Sequence, residues 1–322
     1  MNLTDKIYNN ENAARKHLEK IRWSDGINCP LCGGTEKISE VAMKNKPSEK
    51  NPEAKEVKGY YHCGDCRRKF TVRTGSIYER SHIPLHKWVL ATHLLCASKK
   101  GMSAHQLHRM LGITYKSAWF MEHRIREAMI DGNPDPMGGK DETVQADETY
   151  IGRKKDIPAL RTSGESFKYS ARGAAVKNSV VSLVSKGKAR TFHVDRADAH
   201  TIREILVTNV KRETALHTDE SRLYTKVGKE FADHQTVNHS QGEYVRKGVT
   251  TNNVENYFSI FKRGMKGVYQ HCSEKHLQRY LTEFDFRYNS RDISDAERAN
   301  EAIKGAEGKR LTYRRVGQRK AA

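Results

Sequence analysis

The sequence has no run of roughly 20 apolar residues, the length a helix needs to cross a hydrocarbon core, and hydrophobic residues fill only 36% of its 322 positions. That argues against a helical membrane protein. The first 23 residues are broken throughout by Asp, Asn, Glu, Lys and Arg, so they lack the apolar centre of a secretory signal. The expected location is therefore the cytoplasm. Cysteine is scarce as well: of six, four form two C-x-x-C pairs, while Cys96 and Cys272 stand alone. This excludes a disulfide framework and suits metal binding in a reducing compartment. No internal repeat is present. Negative charge is in short supply, with 39 acidic against 58 basic side chains and a net charge of +19. An excess of this size points to a polyanion, since each Lys or Arg that neutralises a phosphate releases condensed counterions. Nucleic acid is the expected partner, although an acidic lipid surface would satisfy charge alone.

At about 100–200 residues per domain, the length calls for two or three domains. Composition suggests five stretches: a leading helix over 1–23, a cysteine-bearing segment over 24–80, a helical segment over 81–131, a mixed α/β domain over 138–300 and a basic tail over 301–322. The breakers in Asp131-Gly-Asn-Pro-Asp-Pro-Met-Gly-Gly mark the main boundary. Short β-branched runs at 143–151, 174–184, 190–194 and 214–218 precede helical stretches, the pattern of a mixed α/β domain.

Cys29-Pro-Leu-Cys32-Gly-Gly and Cys63-Gly-Asp-Cys66-Arg are two knuckles, in which Gly33 or Gly64 permits the tight turn. Four thiolates make the closed tetrahedral site that structural zinc prefers. The 30-residue spacer is long for a finger, but a polar insert over 44–55 accounts for most of the excess. Zinc binding would supply folding free energy to a segment with few apolar residues. Arg67, Arg68, Lys69 and Arg73 then form a basic face suited to phosphate. Further on, Ser103 and Thr114 can cap two helices separated by Gly112, a helix-turn-helix grammar. The second helix would offer Tyr115, Lys116 and Ser117 to the major groove.

Thr143 to Gly152 reads as a strand with Asp147 in its middle, a poor place for a carboxylate unless it is paired or binds a cation. Asp219 ends a second short apolar strand. In the helix Asn252 to Met265, Val254, Phe258, Phe261 and Met265 follow a 4,3,4 step, while Asn252, Glu255, Ser259 and Lys262 share another face. Two strand aspartates and a helix carboxylate are the ingredients of a two-metal phosphoryl-transfer site, because hard divalent ions take oxygen ligands from separate elements. Glu148, Glu220, Asp195 and Asp198 are rival acids. Glu148 and Glu220 should face away from their neighbours, since side chains on a strand alternate.

Taken with Tyr61-His-Cys63-Gly-Asp-Cys66, Lys69-Phe-Thr-Val-Arg-Thr-Gly-Ser, Ala146-Asp147-Glu148-Thr149-Tyr150-Ile151-Gly152, His217-Thr218-Asp219-Glu220, Thr251-Asn252-Asn253-Val254-Glu255, Lys262-Arg263-Gly264 and the run from Tyr280 to Arg291, the chain resembles bacterial insertion-sequence DDE transposases of the ISXO-like group over residues 20–295. The resemblance implies an RNase H-like catalytic core, a zinc ribbon that helps bind terminal inverted repeats, and Mg²⁺- or Mn²⁺-dependent cleavage and strand transfer of double-stranded DNA at the repeats and the target. It also implies action at the nucleoid, compatible with a homo-oligomer on DNA. Asp147 and Asp219 match the first two catalytic carboxylates. The third is Glu255 or Asn252, since members of the group carry either Glu or Asn; a neutral amide ligates Mg²⁺ more weakly, which favours Glu255. Lys262 would contact phosphate. A second reading is a catalytically silent zinc-ribbon DNA-binding regulator derived from such an enzyme, which would have no need to keep the Asp147, Asp219, Glu255 and Lys262 set.

Overall fold

The computed structural model describes residues 2–44, 56–154, 176–238, 245–246 and 249–312. Most of the polar insert at 44–55 and the last ten residues of the basic tail lie outside the described residues. The chain divides into two compact units, one made of Met1–Ile130 with Ile293–Ala322 and the other of Asp131–Asp292. Among the described residues no helix is long and apolar enough to cross a membrane.

In the first unit, α1 (Glu11–Arg22) starts where Asn10 accepts the Ala13 N–H at 3.0 Å and buries Ala14 and Leu18. The ribbon is an antiparallel sheet in the order β1 (Ile38–Lys44), β2 (Glu56–Cys63) and β3 (Lys69–Phe70). Its apolar content is small: Trp23 meets Tyr61 and Phe70 edge-on with ring centres 5.2 and 6.0 Å away. The helices α2 (Leu85–Ala97), α3 (Ala104–Leu111) and α4 (Tyr115–Ala128) follow, and α2 buries Trp88, Val89 and Leu95.

The C-terminal segment departs from the expected boundaries at 300 and 301. Helix α8 (Asp295–Lys304), started by a Ser294–Glu297 capping box, packs against α1 and α2 in the first unit. Arg298 donates to Cys96 O at 2.9 Å and to Ile293 O at 3.0 Å. Beyond the helix, Gly308 N donates to Gly75 O at 2.9 Å, so the beginning of the expected tail is tied to the end of the ribbon. The reason is the apolar face of Ala299, Ala302 and Ile303, which needs a surface to cover.

The second unit is built on a five-stranded sheet in the order β6-β5-β4-β7-β8. β4 (Thr143–Ile151), β5 (Asn178–Ser185) and β6 (Lys188–Val194) run antiparallel, whereas β7 (Ala215–Asp219) and β8 (Asp233–Val237) add in parallel on the other side of β4. A central first strand with a meander on one side and parallel strands on the other is the RNase H-like arrangement. α5 (Ala199–Asn209) covers one face, where Ile202 and Leu206 meet Val144, Ala146, Val181 and Leu216. α6 (Asn252–Gly264) and α7 (Glu274–Asn289) cover the other, where Val254, Phe258, Phe261 and Leu281 meet Val180 and Val184. With both faces covered, every residue of β5 is buried. β8 was not anticipated: Asp-His-Gln-Thr-Val is polar and half-exposed, with only Val237 buried, as an edge strand allows.

Candidate active site and metal centre

The parallel register sets Gln145 opposite His217. Two residues further along each strand stand Asp147 and Asp219. Alternation gives them a common face, since Val144, Ala146 and Leu216 all join the packing under α5. α6 lies on their side of the sheet. Its apolar residues Val254, Phe258, Phe261 and Met265 are buried as the 4,3,4 step requires, and Glu255 is half-exposed in its first turn.

Burial pushes the Asp147 carboxyl up to about 8, and the neighbouring charges of Glu148, Asp219 and Glu255 push in the same direction. The Glu148 N–H, which donates to Asp147 Oδ1 at 2.7 Å, opposes the rise. The structure therefore brings the three expected carboxylates into one electrostatic neighbourhood. Asp219 Oδ1 accepts from Ser221 N at 3.0 Å, and Glu255 Oε1 accepts from the Thr251 hydroxyl at 2.8 Å. Among the described residues no Lys or Arg forms an ion pair with Asp147, Glu148 or Asp219. A set of hard oxygen donors with this much negative charge fits a divalent cation of the Mg²⁺ or Mn²⁺ type.

The rival acids separate cleanly. Glu148 faces the α5 side, as alternation demands, and accepts the Tyr224 O–H at 2.8 Å; burial raises its pKa and the tyrosine lowers it. Glu220 and Asp195 are exposed. Asp198 caps α5, accepting from Thr201 N at 2.9 Å. Asn252 is exposed at the start of α6, and Lys262 is half-buried with its Nζ 5.9 Å from the Phe258 ring centre. The residues overlooked from sequence are Tyr224, Thr251 and Gln145. The last had a signal, because it stands two positions before Asp147 and so shares its face.

In the ribbon, one sulfur from each of Cys29, Cys32, Cys63 and Cys66 lies within 4.8 Å of all the others. Four sulfurs at about 2.3 Å from a shared ion would be about 3.8 Å apart; Cys29–Cys66 and Cys32–Cys63 are 3.7 and 3.6 Å apart. The set fits tetrahedral zinc. The two knuckles close differently from expectation. Gly33 has φ +79° as foreseen, but in the second knuckle the left-handed residue is Arg67 at φ +54°, not Gly64. Each follows the second cysteine of its pair, and Gly64 instead passes close to Lys37, to whose carbonyl it donates at 2.7 Å.

Arg67, Arg68 and Lys69 are exposed beside this centre. Arg73 is not part of that face. Its guanidinium donates to Ser81 O at 3.0 Å, Ile83 O at 2.9 Å and Glu11 Oε1 at 3.1 Å, which ties the ribbon's exit to the start of α1. The helical pair forms as its caps predict: Ser103 accepts from Gln106 N and Thr114 from Ser117 N, each at 3.2 Å, and Gly112 turns the chain at φ +57°. Tyr115 is 44% exposed and stacks on His105 at 4.2 Å, with Lys116 exposed beside it and Ser117 half-buried.

Residues 139–289 match the ISXO2-like transposase domain, and residues 9–69 match the transposase zinc-ribbon domain. The chain therefore carries an ISXO2-like transposase domain behind a transposase zinc ribbon. An uncharacterized protein in transposable element ISH50 of Halobacterium salinarum is 28% identical over 291 residues, 88% of this chain and 92% of its own length. Two solved structures, a pre-cleavage Mos1 transpososome and the Mos1 Strand Transfer Complex, align at 11% and 12% identity over 65% and 67% of this chain and 75% and 73% of theirs, with TM-scores of 0.28 and 0.29.

Proposed function

We propose that this transposase binds the terminal inverted repeats of its insertion sequence and catalyses divalent-metal-dependent cleavage and strand transfer of double-stranded DNA. The observation that carries this reading is that Asp219 on β7 and Glu255 on α6 lie near enough to Asp147 on β4 for their charges, with burial, to hold its carboxyl at about 8. Such a cluster is costly unless positive charge enters it. Loaded with Mg²⁺ or Mn²⁺, the site gains the chemistry of in-line phosphodiester displacement: a polarised water or 3′-hydroxyl and a stabilised leaving oxygen. Asp147 and Asp219 supply ligand oxygens from rigid strands. Glu255 supplies the third, its orientation held by the Thr251 hydroxyl. Lys262, two turns further along α6, would meet a phosphate oxygen.

Cys29, Cys32, Cys63 and Cys66 hold one structural Zn²⁺ in this reading. Tyr115, Lys116 and Ser117 at the start of α4 would read base edges, and Arg67, Arg68 and Lys69 would hold the backbone. Arg73 drops out of the interface because its guanidinium is committed to Ser81 O, Ile83 O and Glu11.

The test is nicking and joining of DNA that carries the element's own ends. Asp147→Ala and Asp219→Ala should each reduce Mg²⁺-dependent cleavage by roughly 1000-fold or more and leave end-DNA affinity nearly unchanged. Glu255→Ala should do likewise and Asn252→Ala be milder; the reverse ranking transfers the third ligand to Asn252. Substitutions at Tyr115 or Lys116 should weaken repeat DNA more than random DNA. Wild-type protein that binds the ends but neither nicks nor joins them with Mg²⁺ or Mn²⁺ would leave a DNA-binding regulator in place of the enzyme.

A further inference from the structure

Helix α6, which carries Glu255, does not cap itself. Thr251 stands at its N-cap position, yet its side chain accepts no N–H from the helix; its hydroxyl donates to Glu255 Oε1 instead. The first amide, Asn252 N, goes to Thr250 Oγ1 at 3.1 Å, and the next two are met from another element. Gln145 Oε1, on β4, accepts from Asn253 N at 3.0 Å and from Val254 N at 3.3 Å. These are the second and third amides of α6, the two a capping oxygen ordinarily takes. Gln145 is 5% exposed, so water does not compete freely for either bond.

The placement has a geometric consequence. Gln145 is two residues before Asp147 on the same face of β4, and Val254 is one residue before Glu255. A short path of covalent and hydrogen bonds therefore runs from one carboxylate to the other through the Gln145 amide. Thr251 holds the far carboxylate in orientation at the end of that path. An ordinary N-cap from the preceding segment would stabilise α6 but add no bond from its first turn to β4, leaving apolar packing alone to set that separation.

We infer that Gln145 is a positioning residue: it joins β4 to the first turn of α6 and so sets the separation of Asp147 from Glu255, and with it the dimensions of the cation site between them. The inference rests on the reading of those two carboxylates as ligands. Gln145 itself touches neither the ion nor DNA. Its effect should appear in ion affinity, not in DNA affinity or in the rate at saturating ion.

The experiment uses the full chain with its zinc in place, and Mn²⁺ as the probe. Mn²⁺ binding is followed by water-proton relaxation, and nicking of end DNA is measured as a function of Mn²⁺ concentration. Gln145→Leu keeps the bulk and removes the acceptor; it should weaken Mn²⁺ binding roughly tenfold, the size of other effects transmitted through a ligand's supporting groups. Its nicking should need correspondingly more Mn²⁺ for half-maximal rate and recover to within about threefold of wild type at saturation. Gln145→Glu keeps an acceptor oxygen in place and should bind Mn²⁺ as well as wild type or better. A lower Tm for Gln145→Leu with unchanged Mn²⁺ affinity would make Gln145 a helix cap only and overturn the inference. If Gln145→Leu does not fold, Gln145→Asn decides, since a side chain one methylene shorter cannot reach both amides and should show the same weakening; unchanged affinity overturns the proposal. Wild-type protein that binds no Mn²⁺ would sink the reading of the site and this inference together, whereas wild type that binds and cleaves while Gln145→Leu matches it would sink the inference alone.

Discussion

Potential metal ligands gather in two places, four cysteines and three carboxylates, and the two clusters are opposite in construction. The cysteines come from two local turns on one small ribbon, each turn presenting its own pair. The carboxylates Asp147, Asp219 and Glu255 come from two strands and a helix spread over more than a hundred positions. Thiols can wait uncharged for an ion, whereas buried carboxylates that share a site repel one another when ionised, so Asp147, held at about 8, keeps its proton near neutral pH until an ion displaces it. One cluster should thus need its metal in order to fold, whereas the other should fold without metal and be relieved by it.

Removing the ribbon's zinc is the larger perturbation. Apparent binding free energies for structural zinc are about 10–16 kcal/mol, and residues 24–80 bury few large apolar side chains, Tyr61, Phe70, Val72, Ile77 and Tyr78, to replace them. Cys63→Ser, or a strong chelator, should release about one zinc per chain and open residues 24–80 to proteolysis. A zinc-free protein whose ribbon still resists protease would break the contrast.

Removing the charge of Asp147 should have the opposite sign. In buffer free of divalent ions other than the ribbon's zinc, Asp147→Asn should be more stable than wild type at pH 8 by about 2–5 kcal/mol. The direction follows from linkage. Asp147 titrates at about 3.9 in an unfolded chain and at about 8 in the fold, so the native state keeps its proton longer. Wild-type stability is full below the lower value, falls as pH rises between the two, and levels off above the upper. Denaturant melts from pH 5 to 9 should show that fall in wild type and lack most of it in Asp147→Asn; parallel curves would mean that Asp147 is not under strain.

The same difference in construction explains what could be read in advance. Local signals were legible: the C-x-x-C pairs, the Ser103 and Thr114 caps, and β4, whose span over Thr143–Ile151 follows from its β-branched and alternating residues. What depends on the partner surface was not. α8 has an ordinary amphipathic pattern, which says that one face is buried but not whether the catalytic unit or the first unit buries it. Arg73 belongs to a linear basic cluster, yet its side chain turns inward to backbone carbonyls that no spacing rule reveals. β8 lacks an apolar run because an edge strand does not need one. At the candidate site the acids are recognisable by type and by resemblance, whereas the role of Gln145, a neutral amide, shows only when α6 is laid against β4.

The smallest expected effect concerns Glu148, and it tests whether the carboxylates act as one electrostatic unit or as three ligands with an unrelated neighbour. Glu148 contributes the largest charge effect on Asp147 yet faces the other side of β4, where it accepts from Tyr224. Glu148→Gln keeps an acceptor for that hydroxyl and removes the charge. The pH at which wild type finishes losing stability should move down by about one unit, worth about 1 kcal/mol at pH 8. Cleavage with Mg²⁺ should stay within about threefold of wild type, since a side chain on the α5 face reaches neither ion nor phosphate. A large loss of cleavage would instead make Glu148 a fourth ligand and the site less like three oxygens meeting from β4, β7 and α6. An unmoved stability profile would mean that the charge on Asp147 is balanced locally, by its bond from the Glu148 N–H, and that the contrast with the cysteine cluster rests on burial alone.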